Sequence, residues 1–94
     1  MILEIIELRT IDRKKIIMNS RLMDLILNFE KEKLITKKKS IKLYCNATIS
    51  TDLSIHIIHF QNSLDTNDLF ISHQIRNLLD KWGLINYTIW KEEK

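Results

Sequence analysis

The 94-residue chain is 45% hydrophobic and 29% charged, with a formal charge of +3. That length allows one domain, residues 1–94, and the composition excludes a disordered chain. A charge this mild, with no stripe of Arg and Lys interleaved with aromatics, argues against nucleic acid as the partner. One glycine and no proline leave few sharp corners, so most of the chain should be regular structure.

Residues 2 to 9, "ILEIIELR", are short, rich in Ile and bounded by polar residues, which reads as a strand. The order in "MILEIIELRTIDRKK", apolar first and basic later, is the reverse of a secretory leader. No apolar run approaches membrane-spanning length. The expectation is a soluble, cytoplasmic protein with no membrane contact. From residue 13 to 33, apolar positions Ile16, Met18, Leu22, Met23, Leu25, Ile26, Leu27 and Phe29 cover more than half of a helical wheel. Asp12 is the candidate cap, although 11–17 could instead extend the first strand. A helix resting on a sheet needs an apolar stripe of only about 100°, so the wider face suggests a second contact. Lys37 to Lys39 form the densest basic run, read as a solvated loop.

Residues 41 to 49 alternate: Ile41, Leu43, Cys45, Ala47 and Ile49 against Lys42, Tyr44, Asn46 and Thr48, a half-buried strand. Cys45, the lone cysteine, reads as a small buried hydrophobe. A three-residue turn, Ser50 to Asp52, would pair Ile49 with Leu53, Ala47 with Ile55 and Cys45 with Ile57, keeping every apolar residue on one face. Asp52 would then take the left-handed position. Residues 53 to 61 form the next strand. Period two sends its histidines to opposite faces, so His56 and His59 cannot share a metal. His59 should sit at the rim of the core. His56 should lie opposite Asn46, on the face away from the helices.

A second helix is expected from residue 66 to 82, capped by Asp65 or Thr66, with Leu64, Ile71, Ile75, Leu78, Leu79 and Trp82 as its core stripe. Phe70 falls off that stripe. Gly83 stands where a left-handed residue closes a helix. Residues 84 to 91, "LINYTIWK", supply the last strand, with Ile85, Tyr87 and Ile89 on one side and Asn86, Thr88 and Trp90 on the other. The order β-α-β-β-α-β is the split pattern of an α+β, ferredoxin-like domain. Right-handed crossovers place both helices on one face of an antiparallel four-stranded sheet. The uncovered face collects Tyr44, Asn46, Thr48, His56, Ile58, Phe60, Asn86, Thr88 and Trp90. That mixture is too apolar for water and too polar for a dry core, and suits a subunit interface or a ligand cavity.

The stretch "IHIIHFQNSLDTNDLFISHQIRNLLDKWGLINYTIWKEE" resembles the dimeric α/β-barrel superfamily that includes antibiotic-biosynthesis monooxygenase domains. The resemblance lies in the helix after a Ser/Thr-Asp cap, the "LLDKWGLIN" passage from helix to strand, and the closing "IW". It implies a homodimer in which two ferredoxin-like subunits set their open sheet faces together, with Asn46, His56, Asn86 and Trp90 turned inward. A small molecule would bind there, against Tyr44, Asn46, His56, Phe60, Asn86 and Trp90, without cofactor or metal. Oxygenase- or decarboxylase-like catalysis, with His56 as acid–base group, is one alternative. A basic RNA-binding module is the other. No phosphate loop, nucleophile elbow or metal-ligand spacing is present.

Overall fold

The computed structural model describes residues 1–11, 13–17, 20–36 and 39–93, with side chains throughout except at 13, 17 and 29–36. The elements run β1 (Ile2–Thr10), α1 (Arg13–Ile17), α2 (Ser20–Thr36), β2 (Lys39–Cys45), β3 (Asp52–His59), α3 (Phe70–Leu79), a 3-10 turn (Asp80–Trp82) and β4 (Gly83–Lys91). The chain is therefore α+β: the described residues form a four-stranded antiparallel open sheet in the order β2-β3-β1-β4 with helices α1, α2 and α3.

Strand alternation decides what is buried. The even residues of β1 (Ile2, Glu4, Ile6, Leu8 and Thr10) are buried, and so are the odd residues of β3 (Leu53, Ile55, Ile57 and His59). Ile6 sits between Ile55 and Tyr87, and Leu8 between Leu53 and Ile85. Ile16 and Leu22 from α1 and α2, and Ile75 and Leu79 from α3, close this face. Each such buried aliphatic side chain stabilises the fold by roughly 1.5–3 kcal/mol.

Several expectations fail locally. Strand β2 stops at Cys45, and residues 46–51 form a six-residue connection. Cys45 pairs with Leu53, Leu43 with Ile55 and Ile41 with Ile57, a shift of four residues from the three-residue turn. Four is an even number, so every side chain keeps its face. The cause is Asn46. Its Oδ1 accepts from the backbone N–H of Thr48 and of Ile49, both at 2.9 Å, and from the Thr48 hydroxyl at 3.0 Å. An Asx turn thus takes over where the ladder would have continued. Asp52 is not a left-handed turn residue. It begins β3 opposite Arg9, and its carboxylate holds the Arg9 guanidinium at 3.0 and 3.3 Å. Cys45 is exposed rather than buried, because helix cover thins along the edge strand from Ile41 to Leu43 to Cys45.

Of the first expected helix, 13–17 and 20–36 are helical, so 13–17 does not extend β1, while 18 and 19 lie outside the described residues. The expected cap Asp12 lies outside the described residues, as do Lys37 and Lys38 of the basic run; Lys39 instead opens β2, its Nζ 3.4 Å from Asp68. Residues 66–69 are a turn, and α3 begins only at Phe70. Asp65 caps that turn, accepting the Asp68 N–H at 2.9 Å while Asp68 accepts the Asp65 N–H in return. Gly83 is extended, at φ 162° and ψ −160°, not left-handed. Glycine is needed there because β4 comes so close to β1 that a Cβ would lie 2.0 Å from the Arg9 carbonyl oxygen.

Candidate functional site

The open face is organised in rows that cross the strands. The first row runs Asp52, Arg9, Leu84, and the second Tyr44, Ser54, Glu7, Asn86. The third is Lys42, His56, Ile5, Thr88, and the fourth Ser40, Ile58, Leu3, Trp90. Phe60 follows Ile58 beyond the fourth row. Alternate residues on a strand are about 6.8 Å apart, so Trp90 stands two rows and Phe60 about three rows from Tyr44 and Asn86. Among the predicted site residues, the structure therefore brings Tyr44, Asn46 and Asn86 to one end and Phe60 and Trp90 to the other, with His56 between.

The polar end forms a cleft of about 310 Å³, lined chiefly by Glu7, Arg9, Tyr44, Asn46, Ser54 and Asn86 over a floor that includes Leu8 and Leu53. Asn86 Nδ2 reaches Glu7 Oε1 at 3.5 Å. His56 adjoins the cleft through Ser54, whose Oγ lies 3.2 Å from Nε2. Its ring is tilted against Tyr44 at a centroid distance of 4.6 Å. It pairs with Lys42 rather than Asn46, because of the four-residue shift, but the Tyr44 contact survives as a diagonal. Burial lowers the His56 pKa from its ordinary value, opposed by the nearby Glu7 charge. Asn46 lines the cleft as a loop residue, with its side-chain carbonyl engaged by the turn.

The apolar end is an unsatisfied surface. Phe60 and Trp90 are each 58% exposed and Tyr44 45%. The Trp90 indole N–H is occupied by Thr88 Oγ1 at 2.9 Å.

A second cluster of catalytic-type residues lies under the helices. Glu4 accepts from the Tyr87 hydroxyl at 2.5 Å and from His59 Nε2 at 2.6 Å, and Glu4 and His59 are fully buried. Burial pushes the Glu4 carboxyl up, but the hydrogen bonds from His59 and Tyr87, with the His59 charge, outweigh it and hold the pKa below the ordinary value. Burial first, then the bond to Glu4, raises the Tyr87 phenol. The Arg76 guanidinium lies 3.8 Å over the Tyr87 ring. His59 Nδ1, also buried, finds no hydrogen-bond partner among the described residues. The Ser72 hydroxyl donates to the Leu69 carbonyl at 2.9 Å and is fully buried. Glu4, His59 and Ser72 are shut off from solvent, and the cluster ties α3 to the sheet. His59, expected at the rim of the core, is fully buried within it; its partner Glu4 carries no signal in the sequence beyond sharing the alternation of Ile2, Ile6 and Leu8. The side chain of His73, the third histidine, lies 3.2 Å from Asn77 Nδ2 on the exposed side of α3.

Among the described residues no group of three or more His, Cys, Asp or Glu could hold a metal ion, and no helix is long and apolar enough to cross a membrane. The chain matches no family model and no curated protein. A solved structure, that of a conserved protein from Methanosarcina mazei Go1, is similar to it with a TM-score of 0.62 at 14% identity. The alignment covers 98% of this chain and 92% of that one. That likeness is one of fold.

Proposed function

We propose that the chain is a ferredoxin-like subunit that pairs through its open sheet face into a homodimer of the α/β-barrel kind. The pair holds a small molecule at the polar end of that face. The observation that carries this reading is the division of the open face into rows. Leu3, Ile58, Phe60 and Trp90 form an apolar end of the sort that marks protein contacts. Glu7, Ser54, Tyr44 and Asn86 form a polar end that no dry interface would tolerate unpaired. A two-fold axis along the strands sets each row against its own kind, so apolar ends adhere and polar ends face one another across a wet cavity. An axis across the strands would press Glu7 and Arg9 onto Phe60 and Trp90, which desolvates charge without a partner.

The test is sedimentation velocity at micromolar concentration. The expected species has twice the 11.3 kDa chain mass, and the Phe60→Ser, Trp90→Ser double variant should sediment as a folded monomer. A wild-type monomer at 50 µM, or a double variant that stays dimeric, overturns the reading. Binding to RNA that falls steeply with salt would favour the basic-module alternative.

A further inference from the structure

Resting on the reading of the polar end as a ligand site, we infer that the cleft takes a small organic cation: an amine on an aromatic or apolar body. Three features of its lining define that class. The first is charge. Arg9 is already held by Asp52 through two hydrogen bonds, at 3.0 and 3.3 Å, so this pair brings no net charge to the cleft. Glu7 remains. It stands in the middle of the second row, between Ser54 and Asn86. Its only hydrogen-bond contact among the described residues is the Asn86 amide at 3.5 Å, the outer limit for such a bond. The cleft thus carries one carboxylate in excess, its one arginine among the described residues, Arg9, being the one that Asp52 holds.

The second feature is what stands beside that carboxylate. The nearest titratable base on the face, His56, is held toward its neutral form by burial, so near neutral pH it does not supply the missing cation. Lys42 projects from β2 one row away, opposite His56, and does not line the cleft. The third feature is the wall. Tyr44 presents a ring that is 45% exposed and is braced from behind by the His56 ring at 4.6 Å. A fixed aromatic face beside a carboxylate attracts an ammonium twice, by Coulomb force and through the ring quadrupole. Ser54 and Asn86 flank Glu7 with hydroxyl and amide groups that can take the remaining N–H donors. Leu84, exposed at the end of the first row, offers apolar contact to the body. The volume of about 310 Å³ is at the small end of ligand pockets and fits one ring with a short amine arm.

Benzylamine, benzyl alcohol and benzoate, which share a ring and differ in charge, separate these contributions. They would be titrated into ¹⁵N-labelled protein and followed by amide chemical shifts, with sedimentation run on the same samples. Benzylamine should shift the amides of Glu7, Ser54, Tyr44 and Asn86, and its affinity should fall about tenfold or more in Glu7→Gln. Raising the salt from 20 to 300 mM should weaken it severalfold. Tyr44→Leu should weaken it less. Benzoate binding as well as benzylamine overturns the inference, as does benzyl alcohol doing so. So does benzylamine affinity that Glu7→Gln leaves unchanged. Sedimentation keeps the two ideas apart: a monomer that still binds benzylamine through Glu7 sinks the dimer and keeps the cation site. A dimer with no Glu7-dependent binding does the reverse.

Discussion

Each face of the sheet carries a histidine with a glutamate and a tyrosine close by, and cover makes the two sets differ. Beneath the helices, Glu4 draws His59 and Tyr87 into one closed network with hydrogen bonds of 2.6 and 2.5 Å. On the open face His56 touches Tyr44 and Ser54, and the Glu7 carboxylate is left with the Asn86 amide. The covered set is largely shut off from water and so pairs most of its polar groups with one another. The open set keeps its water and can leave groups for a visitor. Similar residue types serve packing on one side and recognition on the other, and burial alone decides which.

The widest gap between the faces should appear on removing a glutamate. Glu4→Ala strands His59 and the Tyr87 hydroxyl in the core and should destabilise the fold by about 3–5 kcal/mol, read from urea unfolding. Glu7→Ala should change stability by less than about 0.5 kcal/mol in the same measurement. Equal effects would break the contrast. Gly83→Ala tests the close approach that seats β4 beside β1. It should lower stability by about 1–3 kcal/mol, since the obstacle is the Arg9 carbonyl and backbone cannot step aside as a side chain would.

Acid titration sharpens the comparison further. The Glu4 pKa lies below its ordinary 4.5, so its contribution is full above about that pH and is lost as pH falls through the folded value. Glu4→Gln should therefore flatten the acid limb of the stability curve below pH 4.5. The His56 pKa lies below its ordinary 6.5. Here the unfolded chain takes its proton first, so stability starts to fall as pH drops below 6.5 and levels off beneath the folded value. His56→Ala should erase that shallow segment while moving stability at pH 8 by under about 1 kcal/mol. A variant with the wild-type slope between pH 6.5 and 5 would show that the ring is not desolvated. The smallest effect expected is that of Arg9→Gln, which frees an exposed ion pair and should leave the unfolding midpoint almost unmoved in 300 mM salt.

Much of this plan was legible in the residues, and the failures share one cause. Period two in "IKLYC" and "LSIHIIH" assigned His56 and His59 to opposite faces, and the structure keeps that assignment. Alternation cannot say where a ladder stops, however. Ala47 and Ile49 continue the pattern on paper, yet Asn46 diverts the backbone because its short amide binds the next N–H groups more readily than a neighbouring strand does. The same blindness moved the start of the second helix to Phe70, after a turn that Asp65 and Asp68 close between themselves. Gly83 was singled out for the wrong reason: sequence shows that a side chain is missing, and only the neighbouring strand shows why. The open-face site was legible as a set of residue types but not as a place. Separating Tyr44 and Asn86 from Phe60 and Trp90 needs the pairing register, and Glu7 becomes conspicuous only once Asp52 is seen to hold Arg9.

Strand β1 lies between β3 and β4, so the first ten residues find one neighbour about fifty positions downstream and the other about eighty. A nascent chain must therefore hold Ile2, Ile6 and Leu8 without β3 beside them until residue 59 is made, and without β4 until residue 91. Folding should accordingly be late and slow for its size, since such distant closures come before any reward. A chain stopped at residue 82 should show no cooperative unfolding transition, and should depend on chaperones that shield oily segments.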